Sequence, residues 1–360
     1  NYSSGISYNE NGEGLEKYLL SGPDPYYNMR LVEGTYETGR YPYYTQSDPL
    51  LNYPLEARGG RAPLFNMMAL GFSRVLAPVM EEVDAIGLSM QFIPALFGAL
   101  LIFVIYFLAK ELFNEKVGII AAMLVAIIPI HLGSGHGSAF GLYDHDSFNL
   151  LLFFLTFLFL VKCVKEKNSH KSMYYALLAG IPLAALSMTW VEAQFLYVVI
   201  SMYAIVQMFF DIFTSKISFR FFRNIILILW TGYLISLPVI ASQPAGLGTS
   251  LTLYLCLGVS AFGLVYAFLG YKKIPWTLSI PGIFIIAAFG LVFLYFVDDL
   301  AQTYTFLAPL ERIAVIIFGS GIYGNNVSQT IAEANTSTIS NTVMSYGPAL
   351  YWLGWAGFLY

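Results

Sequence analysis

The sequence predicts an all-α integral membrane protein, a polytopic bundle of helices with two long external polar segments. The first observation is composition: 57% of the 360 residues are hydrophobic, 11% are charged, and the mean hydropathy is +0.65. The second is that apolar runs of about 20 residues, the length that crosses a hydrocarbon core as a helix, recur along the chain. The third is that these runs are continuous and do not alternate with polar residues, which excludes the strands of a membrane barrel.

Eight apolar runs and the beginning of a ninth define the organisation of the chain. They lie at 85–109, 117–135, 148–163, 173–190, 192–212, 222–242, 249–269 and 277–297, with the ninth near 345. The prediction is therefore a first external loop at 1–84, eight transmembrane helices within 85–297 with a loop at 134–147, a further external loop at 298–342, and the start of another helix at 343–360. Five prolines in these runs are expected to kink helices without ending them; they are Pro94, Pro129, Pro182, Pro238 and Pro281.

The distribution of basic residues predicts the orientation. Eleven of the 18 lysines and arginines lie in the short loops after the first, third, fifth and seventh runs, and the opposite short loops contain none. The positive-inside rule places the basic loops in the cytoplasm and both long polar segments on the external face of what we expect to be the cell membrane. A net charge of -4 gives no reason to expect nucleic acid as a partner. Two distant cysteines, Cys163 and Cys256, indicate neither a disulfide framework nor a thiolate metal cluster.

Three external segments carry carboxylates that are candidates for chemistry. Asp24 lies between two prolines in the first segment, Asp144 and Asp146 flank His145 in the second, and Glu333 is the one acid of the polar stretch 325–342 in the third. Carboxylate oxygens are the ligands that hard divalent cations prefer. Because the three segments are predicted on the same side of the membrane, we expect them to hold one divalent cation together.

Each segment also has a simpler interpretation. Asp144, Asp146 or Ser147 is suited to cap a helix that starts near Phe148. An Asp-Pro pair is typical of a turn, and a tryptophan at a membrane boundary, such as Trp190, is typical of an interfacial anchor. In an extended segment the side chain of His145 points away from its two neighbours, so a structural place beside the ligands is expected for it. Only the co-occurrence of the three segments favours a site.

These segments resemble the catalytic subunit of oligosaccharyltransferase, the enzyme of N-linked protein glycosylation, in its archaeal form. The resemblance rests on DPYYNMR from Asp24, DPLLNYPLEARGGRAP from Asp48, GLYDHDSFN from Gly141 and TIAE from Thr330. It covers nearly the whole chain in order and implies the GT-C type of membrane glycosyltransferase fold. The residues it implies are Asp24, Asp144, Asp146 and Glu333 as ligands of Mn²⁺ or Mg²⁺, Asp24 and Glu333 also as catalytic groups on the acceptor amide, and Trp190 and Thr330 as substrate contacts.

The reaction implied by the resemblance is the transfer of an oligosaccharide from a polyprenyl (dolichol) phosphate or pyrophosphate to the asparagine amide of Asn-x-Ser/Thr. The implied partners are the lipid-linked donor, the acceptor polypeptide and membrane lipids. The loop at 319–342 is the natural candidate for a lid that orders when the acceptor binds. The family normally has a membrane helix before the first external loop and a soluble C-terminal domain, and neither is found here, so we expect the chain to be a fragment.

Two other functions are considered. A membrane glycosyltransferase that uses a polyprenyl-phosphate monosaccharide, acting on a lipid, a glycan or a protein hydroxyl, shares the multi-span architecture and an acid in the first external loop. It is expected to lack the paired acids with a distant TIAE and often works without metal. A secondary transporter predicts ionisable residues in the middle of the spans and an internal repeat. The sequence shows neither feature.

Overall fold

The computed structural model of the chain confirms the predicted all-α fold in the part that it describes. The described residues are 20, 23–41, 47–48, 57–58, 61–128, 138–190, 193–242, 250–301 and 339–359. The helices are α1 Pro23–Thr38, α2 Pro63–Leu76, α3 Glu82–Leu112, α4 Glu115–Ile127, α5 Asp146–Lys165, α6 Ser169–Ser187, α7 Gln194–Phe213, α8 Phe219–Ala241, α9 Leu251–Lys272, α10 Trp276–Ala301, α11 Ile339–Tyr346 and α12 Pro348–Leu359. Two short strands, β1 Ser47–Asp48 and β2 Ala57–Arg58, pair antiparallel between α1 and α2.

Each of the eight predicted apolar runs overlaps one of the helices α3 to α10. Within the described residues six helices are long and apolar enough to cross a membrane; they are α3, α5, α7, α8, α9 and the part of α10 from Trp276 to Phe293. Helix α3 extends beyond the predicted run at both ends, because Glu82 and Asp84 lie in its first turn and Lys110 in its last. Negative charge is favourable at the start of a helix and positive charge at its end, so these residues extend the helix although they fall outside the apolar run.

Four of the five prolines lie inside helices and do not end them, as predicted. Pro94, Pro182, Pro238 and Pro281 lie inside α3, α6, α8 and α10, respectively. The fifth, Pro129, lies outside the described residues, and α4 ends two residues before it at Ile127. Ile128, the residue before that proline, has an extended backbone with φ -67° and ψ 129°. The proline ring disfavours the helical conformation in the preceding residue, and this explains why the helix ends there.

The segment predicted as the first external loop contains two helices. Pro63 begins α2 at a position where the missing N–H is not needed. Phe65, Ala69 and Ser73 recur every four residues along α2 and are all buried, so this helix has one face directed into the protein. Helix α2 packs against α1 and α3. Helices α1 and α2 are therefore packed against each other and against α3. The polar composition of residues 1–84 does not reveal this packing.

The chain forms two compact units. The first contains residues 1–161, 188–190 and 337–360, and the second contains 162–187 and 191–336. An aromatic cluster lies in the core of the first unit: the ring centroids of Phe65 and Tyr143 are 4.6 Å apart, and those of Phe97 and Phe148 are 4.3 Å apart. These four rings join α2, α3 and the start of α5.

In the second unit, α6 and α8 approach each other closely at two glycines. A methyl group added to Gly180 would lie 2.5 Å from Cβ of Thr231 on α8, and one added to Gly232 would lie 2.9 Å from Cδ2 of Leu183 on α6. Small residues allow such close backbone approach, which is a main source of helix association in lipid. Helix α9 packs against α7 and α8, and α10 against α7.

Candidate metal site

A sharp turn delivers the paired acids to the first turn of α5. Gly141 has a φ of 84°, a left-handed conformation that glycine adopts without strain, and its N–H donates to the Gln91 carbonyl of α3 at 3.0 Å. The N–H of Asp144 donates to the Leu142 carbonyl at 2.8 Å. Helix α5 then begins at Asp146. The segment is thus bent and anchored to α3, and it is not extended.

This turn brings three ligand-bearing side chains together. Asp144, His145 and Asp146 each offer one ligand atom, and these atoms lie within 4.8 Å of one another. An octahedral ion of the size of Mg²⁺ has ligands at about 2.1 Å, so neighbouring ligand atoms around it are about 3 Å apart. A contraction on the order of 1 Å would gather these atoms around such an ion. Two carboxylates and an imidazole fit a hard or borderline divalent cation.

The side chain of His145 does not point away from its neighbours as expected. Its ring nitrogen Nδ1 lies 2.5 Å from Oδ1 of Asp144, and its backbone N–H donates to the same oxygen at 2.7 Å. The physical reason is the turn, because a bent backbone lets adjacent side chains meet. An ionised carboxylate can only accept, so the ring donates in this contact and its Nδ1 carries a hydrogen.

The surroundings keep Asp144 ionised. Burial alone would raise the pKa of Asp144, but the hydrogen bond from the His145 ring, the charge of His145, its backbone N–H and the charge of Arg61 together outweigh burial and lower the pKa below its ordinary value. The side chain of Asp144 is 14% exposed. At neutral pH the group is therefore a half-buried anion, the form in which a carboxylate binds a metal.

The other predicted site residues are placed only in part. The backbone of Asp24 lies in the first turn of α1, but its side chain is outside what the structure describes. Thr330, Glu333 and the loop at 319–338 lie outside the described residues. The side chain of Trp190 is 37% exposed. Two residues before it, the Met188 carbonyl accepts the N–H of Leu64 on α2 at 3.0 Å, which holds this segment against α2. The roles of these residues stay predictions.

Arg61 is a site neighbour that the sequence reasoning missed. The positive charge of its guanidinium helps to lower the pKa of Asp144. The same group lies 5.7 Å from the ring centroid of Tyr27. Arg30 lies 5.3 Å from the same ring. Arg61 belongs to the ARGGRAP stretch that carries part of the resemblance, but no spacing rule relates that stretch to Asp144. Only the fold shows that they are close.

A comparison of the sequence with family models gives a match to the family described as oligosaccharyl transferase STT3, N-terminal, over residues 15–347. The chain belongs to the STT3 family. One relative, dolichyl-phosphooligosaccharide-protein glycotransferase 3 of Archaeoglobus fulgidus, is 29% identical over 48% of this chain and 20% of its own length. The stt3 subunit of the Schizosaccharomyces pombe dolichyl-diphosphooligosaccharide–protein glycosyltransferase is 26% identical over 75% of this chain and 34% of its own length. The matched regions thus make up 20% and 34% of the lengths of these two relatives, so the chain covers well under half of either.

Solved structures of archaeal STT3 relatives share the fold. The oligosaccharyltransferase AglB of Archaeoglobus fulgidus, in complex with an inhibitory peptide and a dolichol-phosphate, superposes with a TM-score of 0.71 at 21% identity, over 96% of this chain and 41% of that one. The same organism's enzyme tethered to an acceptor peptide with the NVT sequon gives a TM-score of 0.64 over 96% of this chain and 40% of that one. Family membership and the six apolar helices together identify an integral membrane protein.

Proposed function

We propose that this chain catalyses the metal-dependent transfer of an oligosaccharide from a polyprenyl (dolichol) phosphate or pyrophosphate to the asparagine amide of Asn-x-Ser/Thr. The observation that carries the proposal is the cluster of Asp144, His145 and Asp146 at the start of α5, in a chain of the STT3 family. We assign the active site to the external face of the cell membrane, on the side opposite the basic loops.

The relatives support the choice of partners. One solved relative is described with a dolichol-phosphate and an inhibitory peptide, and another with an acceptor peptide that contains the NVT sequon. A third, with a TM-score of 0.61 at 19% identity over 85% of this chain, is described in complex with zinc and sulfate. For this chain we assign a lipid-linked donor, an acceptor polypeptide, and Mn²⁺ or Mg²⁺, because carboxylates dominate the ligand set.

The chemistry requires help at both ends of the reaction. An amide nitrogen is a poor nucleophile because its lone pair is delocalised into the carbonyl. The other end is easier, since a sugar joined to phosphate has a good leaving group. Asp144 and Asp146, with Asp24 and Glu333 as the further ligands that the family resemblance implies, would hold a divalent cation, which would neutralise the charge that develops on the departing phosphate.

The side chains of the protein orient the reactants. Asp24 and Glu333 are assigned to accept hydrogen bonds from the two N–H groups of the acceptor amide, which fixes its position and weakens its resonance. His145 holds Asp144 in its ligand orientation through the Nδ1 contact. The exposed ring of Trp190 and the hydroxyl of Thr330 are assigned to the substrates. A single displacement of this kind inverts the sugar carbon.

The test is glycopeptide formation by the protein reconstituted in liposomes with a lipid-linked oligosaccharide and a fluorescent Asn-x-Thr peptide. Asp24→Ala, Asp144→Ala and Glu333→Ala are each expected to lower turnover by more than about 100-fold, more than the loss of an outer neighbour of a metal costs. A peptide with Gln in place of Asn is the negative control. Wild-type turnover in any of the three variants contradicts the role of that residue.

Metal dependence is tested in the same assay. EDTA should abolish transfer, and Mn²⁺ should restore it. Transfer that persists in EDTA, together with modification of a hydroxyl acceptor, would favour the polyprenyl-phosphate monosaccharide transferase over the function proposed here.

A further inference from the structure

A buried side-chain amide, that of Asn66 on α2, joins three separate parts of the first unit. Its Nδ2 donates to Oδ1 of Asn28 on α1 at 3.1 Å and to the hydroxyl of Tyr41 at 2.8 Å. Its Oδ1 accepts the hydroxyl of Tyr143 at 3.1 Å, and the same hydroxyl lies 3.3 Å from the carbonyl oxygen of Phe65, which precedes Asn66 on α2. Both amide hydrogens and the amide oxygen are therefore used. Asn66 and Asn28 are each 2% exposed and Tyr143 is fully buried, so no water competes for these bonds.

The two ends of this network are next to the candidate site in sequence. Tyr143 directly precedes Asp144, whose position depends on the same turn. Asn28 lies four residues after Asp24 on α1, so one helical turn separates their backbones. The Asn66 amide thus links the helix that carries the first family acid to the turn that carries the paired acids.

The ring of Tyr143 is held by packing as well. It stacks on Phe65 at 4.6 Å, and Phe65 in turn lies 6.0 Å from Phe148 in the first turn of α5. Stacking alone leaves a ring free to slide within its plane, whereas a hydrogen bond at its edge fixes that displacement. Burial raises the pKa of the Tyr143 phenol well above its ordinary value, so the hydroxyl remains a donor at neutral pH.

We propose that Asn66 and Tyr143 are positioning residues for the divalent-cation site, and that their hydrogen bond fixes the turn from Asp144 to Asp146 relative to α1. The inference rests on the metal site of the proposed function. Neither residue is a ligand, so the effect acts through the position of Asp144. Such partners of metal ligands contribute strongly because a small displacement of a ligand oxygen weakens coordination.

The experiment compares Tyr143→Phe with Tyr41→Phe in the protein purified into lipid nanodiscs. Each variant removes one hydroxyl partner of Asn66 and keeps the ring, but only Tyr143→Phe cuts the link to the turn. Calorimetry measures the Mn²⁺ affinity, and electron paramagnetic resonance measures the symmetry of the bound ion. The Tm of each variant is measured in EDTA, so that it reports the stability of the metal-free protein. We expect Tyr143→Phe to weaken Mn²⁺ binding by about 10-fold and to change the resonance spectrum. Tyr41→Phe should lower Tm comparably and leave both metal readouts unchanged.

Equal losses of affinity in the two variants, or an unchanged affinity in Tyr143→Phe, overturn the inference, because the network would then support the fold alone. Should Tyr143→Phe not fold, Asn28→Ser tests the link from its α1 end, and an unchanged affinity there overturns the inference as well. Asp144→Ala distinguishes the two levels of failure. If the wild-type protein and Asp144→Ala bind Mn²⁺ equally, the metal site itself is wrong and this inference fails with it.

Discussion

Two aspartates, Asp144 in the first unit and Asp211 in the second, have surroundings that suit them to different tasks. Asp211 is 8% exposed, and each of its carboxylate oxygens accepts a hydrogen bond: Oδ1 from Nε2 of Gln207 and Oδ2 from the hydroxyl of Tyr266, both at 2.8 Å. At Asp144 both described hydrogen bonds come from His145 and reach the same oxygen, Oδ1.

The difference separates a structural carboxylate from a candidate ligand. The hydroxyl of Tyr266 also accepts the N–H of Ser218 at 2.5 Å, and the N–H of Lys216 donates to the Asp211 carbonyl at 2.8 Å. Asp211 therefore fastens the connection between α7 and α8. Among the described residues the hydrogen bonds of Asp144 reach Oδ1 alone, so Oδ2 is the oxygen that we assign to a cation, and Asp146 lies beside it. Burial with every oxygen engaged indicates a role in stability, whereas a half-buried cluster indicates a role in binding.

Alanine substitutions at these two aspartates should produce opposite results. Asp144→Ala is expected to weaken Mn²⁺ binding by more than about 100-fold, since removing a ligand costs more than removing its outer neighbour. Asp211→Ala should leave Mn²⁺ affinity unchanged. Calorimetry on both variants checks the comparison. A metal affinity that Asp211→Ala lowers as much as Asp144→Ala would remove the distinction.

A second prediction concerns the neighbour of Asp144. His145→Ala is expected to weaken Mn²⁺ binding by about 10- to 100-fold, because Asp144 loses the ring that orients it. His170→Ala is the matched control, since that side chain is exposed at the start of α6 and its backbone N–H is bound by Asn168. Pulsed electron paramagnetic resonance should show no nitrogen coupled to Mn²⁺ in the wild-type protein. A nitrogen coupling that His145→Ala removes would make His145 a ligand itself.

The third prediction is the stability that Asp211 contributes. Asp211→Ala leaves the hydroxyl of Tyr266 and the amide of Gln207 without their acceptor in a buried place. The free energy of unfolding should fall by about 2 kcal/mol, the range for hydrogen bonds to a charged group. Unfolding in detergent, monitored by circular dichroism, measures the loss. A change close to zero would mean that the connection between α7 and α8 holds without the carboxylate.

How far the sequence predicts this molecule depends on the range of the interactions involved. Helices α3 to α10 follow from apolar runs, which are local, and the pair Asp144 and Asp146 follows from a short motif. The network of Asn66 could not be predicted, because its partners Asn28, Tyr41 and Tyr143 are 38, 25 and 77 residues away, and a buried amide leaves no periodic pattern.

The same reasoning explains two places where the backbone departs from the pattern around it. Helix α4 ends early because Pro129 constrains the residue before it, an effect that overrides the apolar run. The orientation of His145 was wrong because the prediction assumed an extended strand, whereas Gly141 turns the chain into α5. In both places one residue with special backbone geometry outweighs the pattern around it.

The smallest expected effects test packing in the second unit, away from either carboxylate. A methyl group at Gly232 would lie 2.5 Å from the hydroxyl oxygen of Tyr197 and 2.9 Å from Cδ2 of Leu183, so Gly232→Ala should lower the free energy of unfolding. The expected loss is about 1–3 kcal/mol, the usual cost of overpacking. Mn²⁺ affinity should not change, which would confine the effect to stability.

Tyr197→Phe offers a rescue of that variant. The hydroxyl of Tyr197 is buried and makes no hydrogen bond of normal geometry within the described part of the chain, so removing it opens space at little cost. The double variant Gly232→Ala with Tyr197→Phe should recover on the order of 1 kcal/mol relative to Gly232→Ala, a coupling that a double-mutant cycle measures. Additive effects would show that Leu183, and not the hydroxyl, is the atom group that the new methyl meets.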